Sequence, residues 1–287
     1  MAAAAKKDDE TKELVNQKTG EITSLADEYA GYAEDIGAGF DGQTSEDIGI
    51  PYLALMQQMS PEVTAEGSEV KMGQWVCRGT GEVFKDGVTI IPCLTRHVYR
   101  EWQSRDPTSS APVADHEIDS PLIIKVRKDQ PFGDYSHPDN PDHPLVEVFD
   151  MFCVHLTSDG VGIPAVVSFS STAIKSYKEF ILRARSLLVQ LPDGRKINPP
   201  LFSTAYTLRS KRVEKKPHAW AVPVVTFADP AGAEKSRILP SSELYAQAKS
   251  LREAVLSGQA KAAAPVRTEA GDAPLKRGDT ESETAPY

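Results

Sequence analysis

The sequence predicts an α+β protein, mainly β, with one ordered body between two polar tails. Three observations carry this. Several runs are rich in β-branched and aromatic residues and are bounded by Gly- and Pro-marked turns. One amphipathic helix falls among them, with apolar residues recurring at helical spacing. Both ends of the chain are polar and charged and hold no such runs. A chain of 287 residues has room for one large domain or two small ones.

Residues 1–46 read as a disordered acidic arm with one short helix near Ser24–Ala33. Within it, "IGAGFDG" places Gly37, Gly39 and Gly42 in the pattern G-x-G-x-x-G. A pyrophosphate cradle needs a buried strand before those glycines and a helix after them. The preceding "LADEYAGYAED" carries four acids, and Gly49 and Pro51 break any helix on the C-terminal side. The glycines therefore read as a flexible lead-in to the body rather than as a cofactor loop.

The body, residues 47–257, begins with "IPYLALMQQMSPEV", whose spacing suits a short helix or a docking segment. "GQWVCRGTGEVF" offers a short strand and a Gly-marked turn. Gly87 to Trp102 reads as a long strand bent at Pro92. Residues 103–144 form a loop-rich insertion with one apolar run at Pro121–Val126. Leu145 to Thr157 and the run "IPAVVSFS" read as a hairpin around "SDGVG". The helix "STAIKSYKEFILRARSLLVQ" comes next, with Ser171 or Thr172 as its cap and Ile174, Tyr177, Phe180, Ile181, Ala184, Leu187 and Leu188 on one face. "LFSTAYTLRSKRV" and "HAWAVPVVTF" are two more strands, joined by the basic turn "EKKP". A last helix spans about Ser241–Leu256, and residues 258–287 read as a disordered tail. Counting from Gly87, the order is strand, strand, strand, helix, strand, strand. That order is the one expected of an OB-like Greek-key barrel with a helix between its third and fourth strands.

Charge is segregated. Residues 1–50 hold 4 Lys+Arg against 12 Asp+Glu, whereas residues 165–227 hold 11 against 3, a net of +8 in a chain whose total is −9. An acidic protein with one basic region points to a polyanion-facing surface; the alternative is a solvated helix face. Cys77, Cys93 and Cys153 are odd in number and never spaced C-x-x-C, so they read as reduced cytosolic thiols. No apolar run approaches the roughly 20 residues of a membrane span, and "MAAAAKKDDETKE" lacks the apolar core of a signal peptide.

Catalytic signatures are scarce: no G-x-S-x-G elbow and no Walker loop occur. His137 and His143 bracket "PDNPD" and could grip a metal with Asp139 or Asp142, but a turn-rich loop accounts for them better. His155, in an apolar run, reads as a core residue. No cofactor, metal or enzymatic activity is expected.

Binding a single nucleic-acid strand needs cations for the phosphates and aromatic faces for the bases. The two occur together twice. "RHVYREW" supplies Arg96, Tyr99, Arg100 and Trp102. "FSTAYTLRSKRVEKKPHAW" supplies Tyr206, Arg209, Lys211, Arg212, Lys215, Lys216 and Trp220 around a hairpin tip. Tyr99, Trp102, Tyr206 and Trp220 are the stacking candidates and the arginines and lysines the phosphate candidates. Core packing of the aromatics, and an edge strand blunted by charge, are the competing accounts.

The string "GAGFDGQTSEDIGIPYLALMQQMSPEV", succeeded by G-x-W, "TGEVF" and "IIPCLTRHVYREW", resembles a group of tailed-bacteriophage early proteins, similar to phage single-stranded-DNA-binding proteins of OB-fold type. The resemblance covers residues 37–102 and continues more loosely to about Phe227. It implies binding of single-stranded DNA during phage replication or recombination, in the host cytoplasm. It also implies recruitment of replication or recombination proteins through the C-terminal tail. The tip "DTESETAPY" departs from a strongly acidic tip in having three acids and ending in Ala-Pro-Tyr. A virion or assembly protein without DNA affinity is the alternative.

Overall fold

The computed structural model describes residues 13–15, 22–24, 49–106, 111–215 and 218–265. The chain divides into two compact units, Met1–Asp47 and Ile48–Tyr287. In the first, β1 (Glu13–Val15) and β2 (Ile22–Ser24) pair antiparallel where the sequence predicts no strand. The "IGAGFDG" loop, residues 25–33 of the helix expected near Ser24–Ala33 and the tail beyond residue 265 lie outside the described residues; Ser24 itself ends β2.

The second unit opens with β3 (Leu53–Leu55), the short helix α1 (Pro61–Thr64), β4 (Trp75–Cys77) and β5 (Val83–Phe84). The three strands form a small antiparallel sheet. Two long strands come after it: β6 (Val88–Trp102) and, beyond the insertion, β9 (Asn140–Leu156). The insertion is not mostly loop. It contains β7 (Pro112–Glu117), α2 (Pro121–Asp129) and β8 (Ser136–His137). Pro121 starts α2 at a position where its missing N–H is not needed, and the Ser120 side chain accepts from Ile123 N. Then come β10 (Gly162–Ser170), α3 (Ile174–Arg185), the small hairpin β11 (Val189–Gln190) and β12 (Lys196–Ile197), β13 (Tyr206–Lys215), β14 (His218–Phe227) and α4 (Glu243–Leu256). The side chain of Ser242 caps α4. No side-chain cap forms on α3; Ser171 instead takes a left-handed φ of 47° in the tight turn out of β10.

The main sheet runs β10-β9-β6-β13-β14, with β7 also on β6 and β8 on β9. β6, β9 and β10 are successive antiparallel neighbours, and the chain then returns past α3 to lay β13 against β6. This is a Greek-key order. β6 bends through a register shift between Pro92 and Leu94, at the proline that predicted the bend. Along most of β9 the sheet is buried on both faces, which is why that strand reads as an almost continuous apolar run. Phe149, Met151 and Cys153 join α3 and the small sheet in one core; Phe152 and Val154 join α4 in the other.

The closed OB barrel expected from element order is not formed among the described residues. No ladder joins β10 to β14, and the sheet is open. The chain entering β3 occupies the gap. Val166 N of β10 donates to Pro51 O, and Tyr52 bridges Val166 in parallel. On the other side the Gln57 carboxamide donates to Ala221 O and accepts from Ala221 N, each at 2.9 Å. One side chain thereby satisfies an edge residue of β14 as a neighbouring strand would. Both edges carry proline at positions that turn the N–H outward, Pro164 two residues before Val166 and Pro223 two after Ala221, so no ladder bond is lost. Residues 260–263 are part of the body and not tail: Ile50 N donates to Lys261 O and Ala263 N to Ile50 O, pinning the entry segment.

Gln57 is 6% exposed, so its loss strands two buried backbone groups. Gln57→Ala should cost about 1–3 kcal/mol, read as a lower urea midpoint together with faster amide exchange at Ala221. An unchanged midpoint would show that the edge needs no such cover.

Candidate nucleic-acid interface

The residues singled out on β6 are mostly interior. Trp102 is 2% exposed and packs with Val98, Val146 and Val148. Tyr99, also 2% exposed, packs with Ile123, Val126, Tyr135 and Leu145, a core supplied largely by the insertion. Neither ring has a face to offer a base. Arg100 is buried between Asp115 and Asp150, at 2.8 Å from each, and Asp150 also accepts from the Ser168 hydroxyl. Burial opposes its charge, but the two carboxylates outweigh burial and hold the guanidinium above its ordinary pKa. Arg96 pairs with Asp115 and Glu117 of β7. Both arginines are therefore occupied by carboxylates, not held out for phosphates. The insertion decides this: β7 runs along the end of β6 and α2 covers Tyr99.

The β13–β14 hairpin is different. Alternation along a strand divides it into two faces. Tyr206 and Leu208 point into the core, where Tyr206 is 1% exposed, edge-on to Phe180 and stacked on Phe227. Tyr206 is thus a packing residue as well. Ser210, Arg212 and Glu214 continue that face, and Arg212 is paired with Glu214 at 2.7 Å. The other face carries Arg209, Lys211 and Lys215, all exposed and two or four residues apart. Strand rise separates alternate residues by about 7 Å. Opposite them on β14 stand Trp220, across from Val213, and His218, across from Lys215. Trp220 is half-buried, and its indole N–H has no hydrogen-bond partner among the described residues. Lys216 lies outside the described residues.

Of the residues expected to hold nucleic acid, the fold thus groups Arg209, Lys211, Lys215 and Trp220 on one surface. It sends Tyr99, Arg100, Trp102 and Tyr206 inward. Sequence reading missed Phe132, which is 69% exposed on the insertion and edge-on to Tyr135. Its signal was the Pro-Phe-Gly turn after α2.

A second polar cluster sits at the base of the insertion. Glu101, 5% exposed, accepts from His143 Nδ1 and His116 Nε2, each at 2.7 Å. Burial pushes its carboxyl up, but the bonds from His143 and His116 outweigh this and leave it below the usual carboxylate range. His137 Nδ1 accepts from Asp139 N, and His155 lies in the core, edge-on to Phe84. Among the described residues no group of three His, Cys, Asp or Glu is placed to hold a metal ion, and no helix is long and apolar enough to cross a membrane. A cleft of about 650 Å³ runs between β6, β7 and residues 255–265, but its two arginines, Arg96 and Arg100, are those already held by carboxylates. A smaller cavity of about 110 Å³ beside Tyr52, Trp102 and Pro223 is too small for a nucleotide.

Residues 17–261 match the family described as Pam3 phage gp34-like protein. The chain belongs to that family. The match spans the entry segment, the main sheet and α4, and it agrees with the bacteriophage part of the sequence resemblance. No curated protein and no solved structure matches the chain.

Asp150→Ala leaves Arg100 buried beside one remaining partner and should destabilise the fold by about 3–5 kcal/mol, measured by denaturant unfolding; an effect below about 1 kcal/mol would count against a structural role for the pair. Glu101 has a depressed folded-state pKa, so its contribution is present above the unfolded carboxylate range of about 4.3 and fades as pH falls through the lower folded value. Glu101→Gln should therefore lower Tm at pH 7, with the gap to wild type closing only in acid. A gap independent of pH would contradict the assignment.

Proposed function

We propose that the protein binds single-stranded DNA, without strong sequence preference, on the outward face of the β13–β14 hairpin during phage replication or recombination. The observation that carries this is the sorting of charge on that hairpin. Arg209, Lys211 and Lys215 share a face with Trp220, while the one acid, Glu214, is turned to the other face and neutralised by Arg212. Cations at a regular step contact phosphates and give salt-dependent affinity. An indole accepts any base by stacking, so sequence is read weakly. An open Greek-key sheet whose last hairpin projects from it is consistent with an OB-like platform, in which the corresponding loop grips oligonucleotides. The family match to a phage protein supports the setting. The proposal assigns no chemical step.

Trp75 and Trp102 are each 2% exposed, so quenching of tryptophan fluorescence by oligo-dT should report Trp220. Affinity should fall steeply with salt, and each phosphate-contacting cation removed should reduce the salt slope by about 0.7. Trp220→Ala should cost about 1–3 kcal/mol of binding. Arg209→Glu and Lys211→Glu should weaken binding strongly, whereas Arg212→Glu, on the opposite face, should have far less effect. No binding at low salt, or equal sensitivity at Arg212 and Lys211, would refute the hairpin as the site.

A further inference from the structure

Helix α3 and the segments packed at its end present a second surface, of different chemistry from the hairpin. The apolar periodicity of the sequence placed Leu187 and Leu188 on the buried face of a longer helix, but α3 stops at Arg185. Leu188 is left 57% exposed, and Leu182 at 73% on α3, Ile197 at 38% on β12 and Leu239 at 64% before α4 are exposed as well. Three links hold these segments together. Asn198 Nδ2 donates to Arg185 O and Leu187 O, each at 2.8 Å, tying the β11–β12 hairpin to the end of α3. Val189 pairs with Ile197. Arg237, two residues before Leu239, donates to Leu188 O at 3.5 Å. These links fix the backbone that carries the exposed aliphatic side chains.

The surroundings are basic. Residues 175–198 hold six Lys+Arg against two Asp+Glu, and one of the two acids, Asp193, is taken by Arg195 at 2.6 Å. On α3 the exposed stripe Lys175, Lys178, Leu182, Arg185 has the 3, 4, 3 spacing of one helix face. Lys175, Lys178, Arg185 and Lys196 form no ion pair among the described residues. We propose that this surface docks an acidic segment of a partner protein, seated by aliphatic side chains and flanked by carboxylates.

Charge complementarity selects that occupant over two others. A nucleic acid would gain from the cations, but aliphatic side chains offer a base no stacking face and are rewarded only by other apolar side chains. A second copy meeting this face symmetrically would set like charges against each other. The surface also differs in place from the DNA-binding face: α3 packs on the side of the hairpin that carries Tyr206, Phe227 and Val225, through Phe180 and Arg183. The inference therefore does not depend on the DNA reading.

The test uses the full chain and a fluorescein-labelled peptide of about 14 residues, with leucines at helical i, i+3, i+4, i+7 spacing and glutamate elsewhere, monitored by anisotropy. Binding should weaken about tenfold or more with Leu182→Ser and with Lys178→Glu, both exposed positions whose variants should keep the wild-type Tm. Arg209→Glu on the hairpin should leave peptide binding unchanged. Replacing the peptide leucines with serine should abolish binding. The proposal fails if the leucine peptide does not bind, or if the serine peptide binds equally well. Loss of oligo-dT affinity in Lys178→Glu as large as in Arg209→Glu would make the surface part of a nucleic-acid track instead. A dimer in sedimentation that Leu182→Ser dissolves would make it a self-interface.

Discussion

The pairing of β6 with β9 from Ile90 to Glu101 is the contact on which the rest of the body depends. Each strand serves twice. β6 uses its other edge for β13 at one end and β7 at the other; β9 carries β10 and β8. Backbone hydrogen bonding along so long a ladder fixes the register of everything attached to it, because a slip of one residue would exchange the two buried faces. The bulge at Cys93 lets these strands bend without giving up that register.

A Greek-key order on a bent sheet leaves two edges facing each other across a gap. In a closed barrel they would pair. Here they are bridged by a segment from before the first long strand, using backbone on the β10 side and a single carboxamide on the β14 side. The cost of an unpaired edge is met locally, and the hairpin β13–β14 remains able to project beyond its short contact with β6. That projection sets one of its faces against α3 and leaves Arg209, Lys211 and Lys215 exposed on the other, beside the buried Val222 and half-buried Trp220, the arrangement on which the proposed DNA contact rests.

The insertion shows how far a fold can redirect the meaning of a motif. "RHVYREW" has the composition of a nucleic-acid strand: two arginines, a tyrosine and a tryptophan within seven residues. Asp115 and Asp150 reach it from β7 and β9, and Ile123 and Val126 from α2, and the motif becomes core. The two carboxylates lie 15 and 50 residues from Arg100, beyond any local pattern. In "LRSKRV", Leu208 is core and the Ser210 hydroxyl donates to Gly73 O, but Arg209, Lys211 and Arg212 stay exposed because the strand extends past its neighbour β6.

Local chemistry determined much by itself. Gly87 to Trp102 and "LVEVFDMFCVHL" are strands because β-branched and aromatic residues fill them, the bend falls at Pro92, and the order of three strands, a helix and two strands comes from their boundaries. The concentration of cations at residues 209–216 is likewise a property of composition. Tertiary structure alone decided that the sheet stays open, that Gln57 stands in for a strand, that residues 103–144 fold over β6, and that Tyr99, Trp102 and Tyr206 are interior while Arg209, Lys211 and Trp220 share an outward face. The physical reason is that propensity and periodicity act within a few residues, whereas burial and ion pairing depend on which distant segment arrives to exclude water.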